Sequence, residues 1–116
     1  MDLDAAVDAL VARLTGAGLR AAADERDLNP PAVWVGPPVL TYRFGKNCWD
    51  AEWRLAAVVP NSGRNIANRN LGELVSAAQA ALGGAIVTAR PIDLSVPDQA
   101  APLPAYELTF TTRIPA

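Results

Sequence analysis

Apolar positions recur every three or four residues in two segments of the chain and every second residue in several others. Over residues 3–15, Leu3, Val7, Leu10, Val11 and Leu14 fall on one face of a helix. Asp2 and Asp4 put negative charge where a helix N-terminus favours it, Asp2 in capping position, and Gly16 and Gly18 end the element. A second helix is marked by Leu71, Leu74, Val75, Ala78 and Leu82. Its cap is predicted at Asn70, with Glu73 three residues on, and Gly83 and Gly84 stop it.

Period two governs the rest. VLTYRF, residues 39–44, alternates Leu40, Tyr42 and Phe44 against Thr41 and Arg43. GKN, 45–47, reads as a turn, because Gly45 and Asn47 both tolerate positive φ. Beyond it Trp49, Ala51, Trp53, Leu55, Ala57 and Val59 face one way and Asp50, Glu52 and Arg54 the other, the pattern of a half-buried strand. Residues 39–59 therefore predict a long β-hairpin. AVWVG, 32–36, is a strand that Pro37 and Pro38 break or turn into a bulge. LRAAADE, 19–25, reads as a short strand, and so does AIVTARPI, 85–92. AYELTFTTRI, 105–114, is the last. VPNSGRNIANRN, 59–70, reads as a polar loop, and DLSVPDQAAPLP, 93–104, as a long exposed one.

The order α-β-β-β-β-α-β-β, with hairpin neighbours dominant, predicts an α+β fold. The expectation is a two-layer sandwich: a mainly antiparallel sheet of five to six strands with two helices packed on one face. At 116 residues the chain closes one core, so 1–116 is read as a single domain. Hydrophobic residues make up 51% but aromatics only 6%; alanine fills the difference, which predicts close helix packing.

Composition narrows the function. Ten basic and twelve acidic residues, a formal charge of −2, give no basic excess for gripping nucleic acid. The N-terminus has no basic n-region, and no apolar run approaches the ~20 residues that span a bilayer, so a soluble intracellular protein is expected. The lone Cys48 cannot form an internal disulfide. Histidine is absent, which removes Cys-His and Ser-His nucleophiles and, with a single cysteine, leaves a zinc site to be built almost wholly from carboxylates. No P-loop or Rossmann glycine fingerprint is present. Cys48 near Lys46 reads as a small apolar residue at a strand start rather than a reactive thiol. Asp50, Glu52 and Arg54 read as a solvated charged ladder rather than an acid/base pair. Neither an enzyme nor a cofactor is expected.

Trp34 lies out of phase with Val33 and Val35, which predicts exposure, and an exposed tryptophan beside prolines suits an interface anchor. Arg64 and Arg69 in the polar loop are weak phosphate candidates, since phosphate surfaces carry clustered charge.

Taken together, NPPAVWVGPP, the CWDAEWRLAAVVP strand with its polar loop, the helix ending LGG and the terminal PAYELTFTTRIP resemble the small tail terminator proteins of long-tailed, non-contractile phages that infect actinobacteria. The resemblance covers nearly the whole chain. It implies a structural virion protein at the head-proximal end of the tail, assembled in the host cytoplasm. Such proteins form a ring, typically a hexamer, that caps the tail tube and stops its elongation. The ring meets the head-completion proteins, and DNA passes through its lumen without sequence-specific binding. The implied partners are thus further copies of the chain, the tube protein and the head connector.

A ring needs two different complementary patches on each subunit, and strand edges and long loops are natural candidates. Trp34 together with Asn61, Arg64, Asn65, Asn68 and Arg69 is the expected contact set between subunits or rings. Asp93, Leu94, Val96, Asp98 and Gln99 are expected to meet an axial neighbour. The competing readings are a head-completion or stopper protein of the phage neck and a monomeric α+β module holding a small ligand between sheet and helices.

Overall fold

A computed structural model describes residues 1–97 and 101–116. Helix α1 spans Leu3–Gly16, and the Asp2 carboxylate accepts the Ala5 N–H at 3.0 Å, capping it as the sequence predicts. Helix α2 spans Arg64–Ala81. The strands are β1 (Ala21–Ala22), β2 (Ala32–Val35), β3 (Val39–Arg43), β4 (Cys48–Val58), β5 (Thr88–Leu94) and β6 (Leu103–Pro115). They form one sheet in the order β1-β2-β4-β6-β5, with β3 also paired to β4. Among the described strand pairs, only β1 and β2 are hydrogen-bonded in parallel. The predicted α+β sandwich of helices on a mainly antiparallel sheet is the fold observed.

β2 and β3 lie end to end along the same side of β4. Val35 pairs with Leu55 and Val39 with Glu52, so residues 36–38 oppose only residues 53 and 54. This is a one-residue bulge, placed where Pro37 and Pro38 have no N–H to give a ladder. The hairpin after it turns through residues 44–47, with φ of 79° at Gly45 and 49° at Asn47. β4 and β5 both run antiparallel to β6, hence parallel to each other, and α2 carries the chain between them across β6.

Both helices cover one face. Leu10 and Leu14 of α1 and Leu71, Leu74 and Ala78 of α2 pack on Val33, Val35, Trp53, Leu55, Leu108 and Phe110. Leu14, Leu55 and Leu108 are fully buried, each contributing about 1.5–3 kcal/mol by leaving water. Arg13 pins α1 to the end of α2 by donating Nε–H to the Ala81 carbonyl at 2.9 Å. A second, smaller core lies on the opposite face, where Leu28, Val96 and Leu103 cover Ala32, Ala56 and Val58. Among the described residues no α-helix covers it; the segments around Leu28 and Val96 do.

Several boundaries differ from expectation, among them the start of the strand expected at 85–92, which begins at Thr88. α2 begins at Arg64 rather than Asn70, capped by Gly63 at φ 93° without a side-chain bond. Ala67 extends its buried stripe to Leu71, Leu74 and Ala78, and that burial outweighs the poor helix propensity of the exposed Asn65 and Asn68. β5 continues through Asp93 and Leu94, whose partners Pro104 and Leu103 begin β6, so the 93–104 loop shrinks from both ends. The 19–25 strand reduces to two residues, followed by a 3₁₀ turn over Glu25–Asp27.

Candidate interaction surface

The topology gathers the expected contact segments at one end of the sheet. β4 leaves where β2 and β6 begin, and β5 ends beside them: Ala32 pairs with Val58, Val58 with Ala105, Leu94 with Leu103. Asn61 is exposed in the short connection to α2. Arg64, Asn65, Asn68 and Arg69 are exposed on the first turns of that helix rather than in a loop. Asn65, Asn68 and Arg69 share a face by their three- and four-residue spacing. Neither arginine forms an ion pair with another described residue.

Trp34 does lie on the face opposite Val33 and Val35, but it is half-buried rather than open. Its ring lies over Gly36 and packs against the second core, and its Nε1–H donates to the Ala23 carbonyl at 3.0 Å. The rest of the ring borders an open groove of about 530 Å³ lined, among the described residues, by Ala23, Asp24, Glu25, Arg26 and Pro97 as well. Trp34 and the chain after β5 are thus brought together. Asp93 is exposed and Leu94 half-buried, while Val96 is buried in the second core, where it covers Val58 instead of facing a neighbour. Asp98 and Gln99 lie outside the described residues.

The groove is mixed in charge. Asp24 accepts from the Arg26 backbone N–H at 2.9 Å and pairs with its guanidinium at 3.1 Å. The Arg26 hydrogen bonds hold the Asp24 carboxyl below the usual carboxylate range, and Asp24 raises Arg26 in turn.

The opposite end of the sheet holds the β3-β4 turn and the end of β6, in a molecule of 50 × 27 × 24 Å. There Tyr42 stacks edge-on to both Trp49, at 5.0 Å between ring centres, and Phe44, at 5.4 Å. Phe44 is 91% exposed. Trp49 points to the helix-side face as predicted, yet it is only half-buried and lies outside the helix-covered core, although its β6 partner Ile114 packs against that core. Trp53 is buried there. Sequence reasoning assigned no role to Phe44, although its place at the end of an alternating strand beside a glycine turn marks it as a tip residue. Cys48 is half-buried, paired with Arg43 and Pro115 across its two neighbouring strands.

On the other face Asp50 sits between Arg43 at 3.0 Å and Arg113 at 3.9 Å, and Glu52 meets Arg54 at 3.5 Å. Glu52, Arg54, Thr88, Arg90, Glu107 and Thr109 line a shallow polar depression of about 200 Å³. The Asp50 contacts are the opposite-sign cross-strand pairs of a solvated sheet face, and Glu52–Arg54 is a pair within β4. No protein-family model matches the chain, and no curated protein matches it.

Proposed function

We propose that this protein is a ring-forming tail terminator, which caps a phage tail tube and joins it to the head connector. The family assignment rests on the sequence resemblance. The observation that best supports a role in assembly is the β3-β4-β6 segment, with edges on both sides that are unpaired among the described residues and Phe44 at its tip. Two different edges on one subunit are what a head-to-tail ring requires. The polar faces carry both signs, consistent with a lumen that does not retain a duplex through its phosphates.

The test is negative-stain microscopy of the purified protein over a concentration series, with mass from light scattering on the same samples. Closed rings with a central hole are expected. In a phage lacking the gene, tails of uncontrolled length are expected. Normal tails with heads that leak DNA would instead identify a stopper. A strict monomer stabilised by a small ligand would identify a binding module.

A further inference from the structure

β5 covers β6 only as far as Thr109. Residues 111–115 therefore have β4 on one side and no strand on the other among the described residues. β3 likewise pairs with β4 alone. The two open edges flank the same three strands and are each five residues long.

Antiparallel alternation identifies the backbone groups these edges present. Val59 N–H donates to the Pro104 carbonyl and Ala116 N–H to that of Asn47, so even-numbered residues of β6 bond β4. Val87 N–H donates to the Thr109 carbonyl, so odd-numbered residues face the other way. The open edge of β6 thus carries the N–H and C=O of Thr111 and Arg113 and the C=O of Pro115. Odd residues of β4 are then taken by β6 and even ones by β3. That commits Val39, Thr41 and Arg43 to the ladder and leaves the N–H and C=O of Leu40 and Tyr42 pointing outward.

The outer edge of β5 differs. Its outward residues by the same alternation are Ala89, Pro91 and Asp93, and Pro91 removes a donor from the middle. A proline there blunts an edge against pairing. The open stretches of β3 and β6 have no internal proline and are rich in β-branched and aromatic residues.

We propose that the β3 edge of one copy pairs with the β6 edge of the next, head to tail; this rests on the self-assembly proposed above and names the surface that performs it. β3 and β6 are both antiparallel to β4, hence parallel to each other. Copies related by rotation about an axis that runs roughly along the strands keep that direction, so in such a ring the new pair is parallel. With Arg113 opposite Thr41 of the partner subunit, the Arg113 N–H and C=O meet the outward C=O of Leu40 and N–H of Tyr42 of the partner subunit. Both faces continue across the joint, with Arg113 beside a threonine and Ile114 beside a tyrosine. A shift of two residues would set Arg113 opposite Arg43 of the partner subunit, a like-charge pair. In the favoured register the exposed Phe44 lies beside Ala116 of the partner subunit and gains cover.

Arg113→Pro and Leu40→Pro each delete one outward N–H without touching the β4 ladder, and Arg113→Thr keeps the N–H while removing the guanidinium. Circular dichroism and melting establish that each variant folds, and light scattering gives its mass. The wild type and Arg113→Thr should assemble alike. Each proline variant alone should stay monomeric, its association weakened about tenfold or more by the lost bond and the strand distortion. An equimolar mixture of the two proline variants should give dimers and nothing larger, because one sound β3 edge and one sound β6 edge remain between them. Arg113→Pro decides alone if Leu40→Pro unfolds. Folded Arg113→Pro that forms wild-type rings overturns the edge pairing and leaves the ring intact. Wild-type protein that assembles through these edges into open fibres keeps the pairing and overturns the terminator reading. A wild type that is monomeric at every concentration overturns the pairing.

Discussion

The side-chain amide of Gln79 is bonded in both directions to the backbone of Ile86. Its Nε2 donates to the Ile86 carbonyl at 3.1 Å, and its Oε1 accepts the Ile86 N–H at 2.8 Å. The clamp spans the turn through Gly83 and Gly84, with φ of 65° and 81°, that takes the chain from α2 toward β5. It satisfies both polar groups of a partly buried residue that neither helix nor sheet serves.

Gln79→Ala should therefore cost about 1–3 kcal/mol, the penalty for leaving such groups unpaired. For a domain of this size that is a fall of roughly 5–15 °C in Tm. Gln79→Glu keeps the acceptor and loses the donor, so it should fall between the two. Thermal unfolding followed by far-UV circular dichroism measures both; an unchanged Tm for Gln79→Ala would show that water replaces the amide without loss.

Gly36 is buried beneath Trp34, and a Cβ built on it would lie 2.9 Å from the ring Cη2. The ring is held at its other end by the Nε1–H bond to Ala23. Gly36→Ala must push the indole aside and stretch that bond, at about 1–3 kcal/mol. Lower stability should come with a red-shifted tryptophan emission as the indole gains water. The same packing would make Trp34→Asp damage the second core, so a loss of assembly in that variant would not by itself report an interface.

The Asp24–Arg26 pair gives a pH prediction with a definite sign. Asp24 is depressed in the folded state, so its contribution is present above the unfolded carboxylate pKa and is lost as pH falls through the lower folded value. Both side chains are exposed, so the contribution to stability should be small. Carboxyl chemical shifts followed through an acid titration should place Asp24 below an ordinary aspartate. Arg26→Ala removes the guanidinium but keeps the backbone N–H bond, so it should move Asp24 only part of the way back toward the ordinary range; an Asp24 that titrates alike in both proteins would mean the side-chain pair does not persist in solution.

The hairpin was readable because β4 carries its charges and its bulky apolar groups on strictly alternate positions from Trp49 to Leu55. The α2 start was not, since Asn65, Asn68 and Asn70 suggest turn chemistry and only the burial of Ala67 against the sheet decides otherwise. The second core was hidden for a related reason. Ala56 and Val58 look like the outward phase of a half-buried strand until Leu28 and Val96 arrive from distant parts of the chain. Open edges are further still from any local pattern. That β6 has β4 alone as a partner after Thr109, among the described residues, depends on where α2 delivers β5, not on the residues of β6.

Phe44 separates stability from assembly more cleanly than any core residue. With 91% of its surface in water and one edge-on ring contact to Tyr42, it contributes little to the folded monomer. Phe44→Ser should change stability by no more than about 0.5 kcal/mol, as surface substitutions usually do. Association should respond differently, since an exposed aromatic at the tip of an open-edged hairpin gains most when a neighbour covers it. Light scattering over a concentration series should show the midpoint of assembly moved to higher concentration while the melting curve stays in place. A variant that melts at a lower temperature and assembles as before would reverse this assignment, making Phe44 a prop for the Tyr42–Trp49 stack rather than a contact.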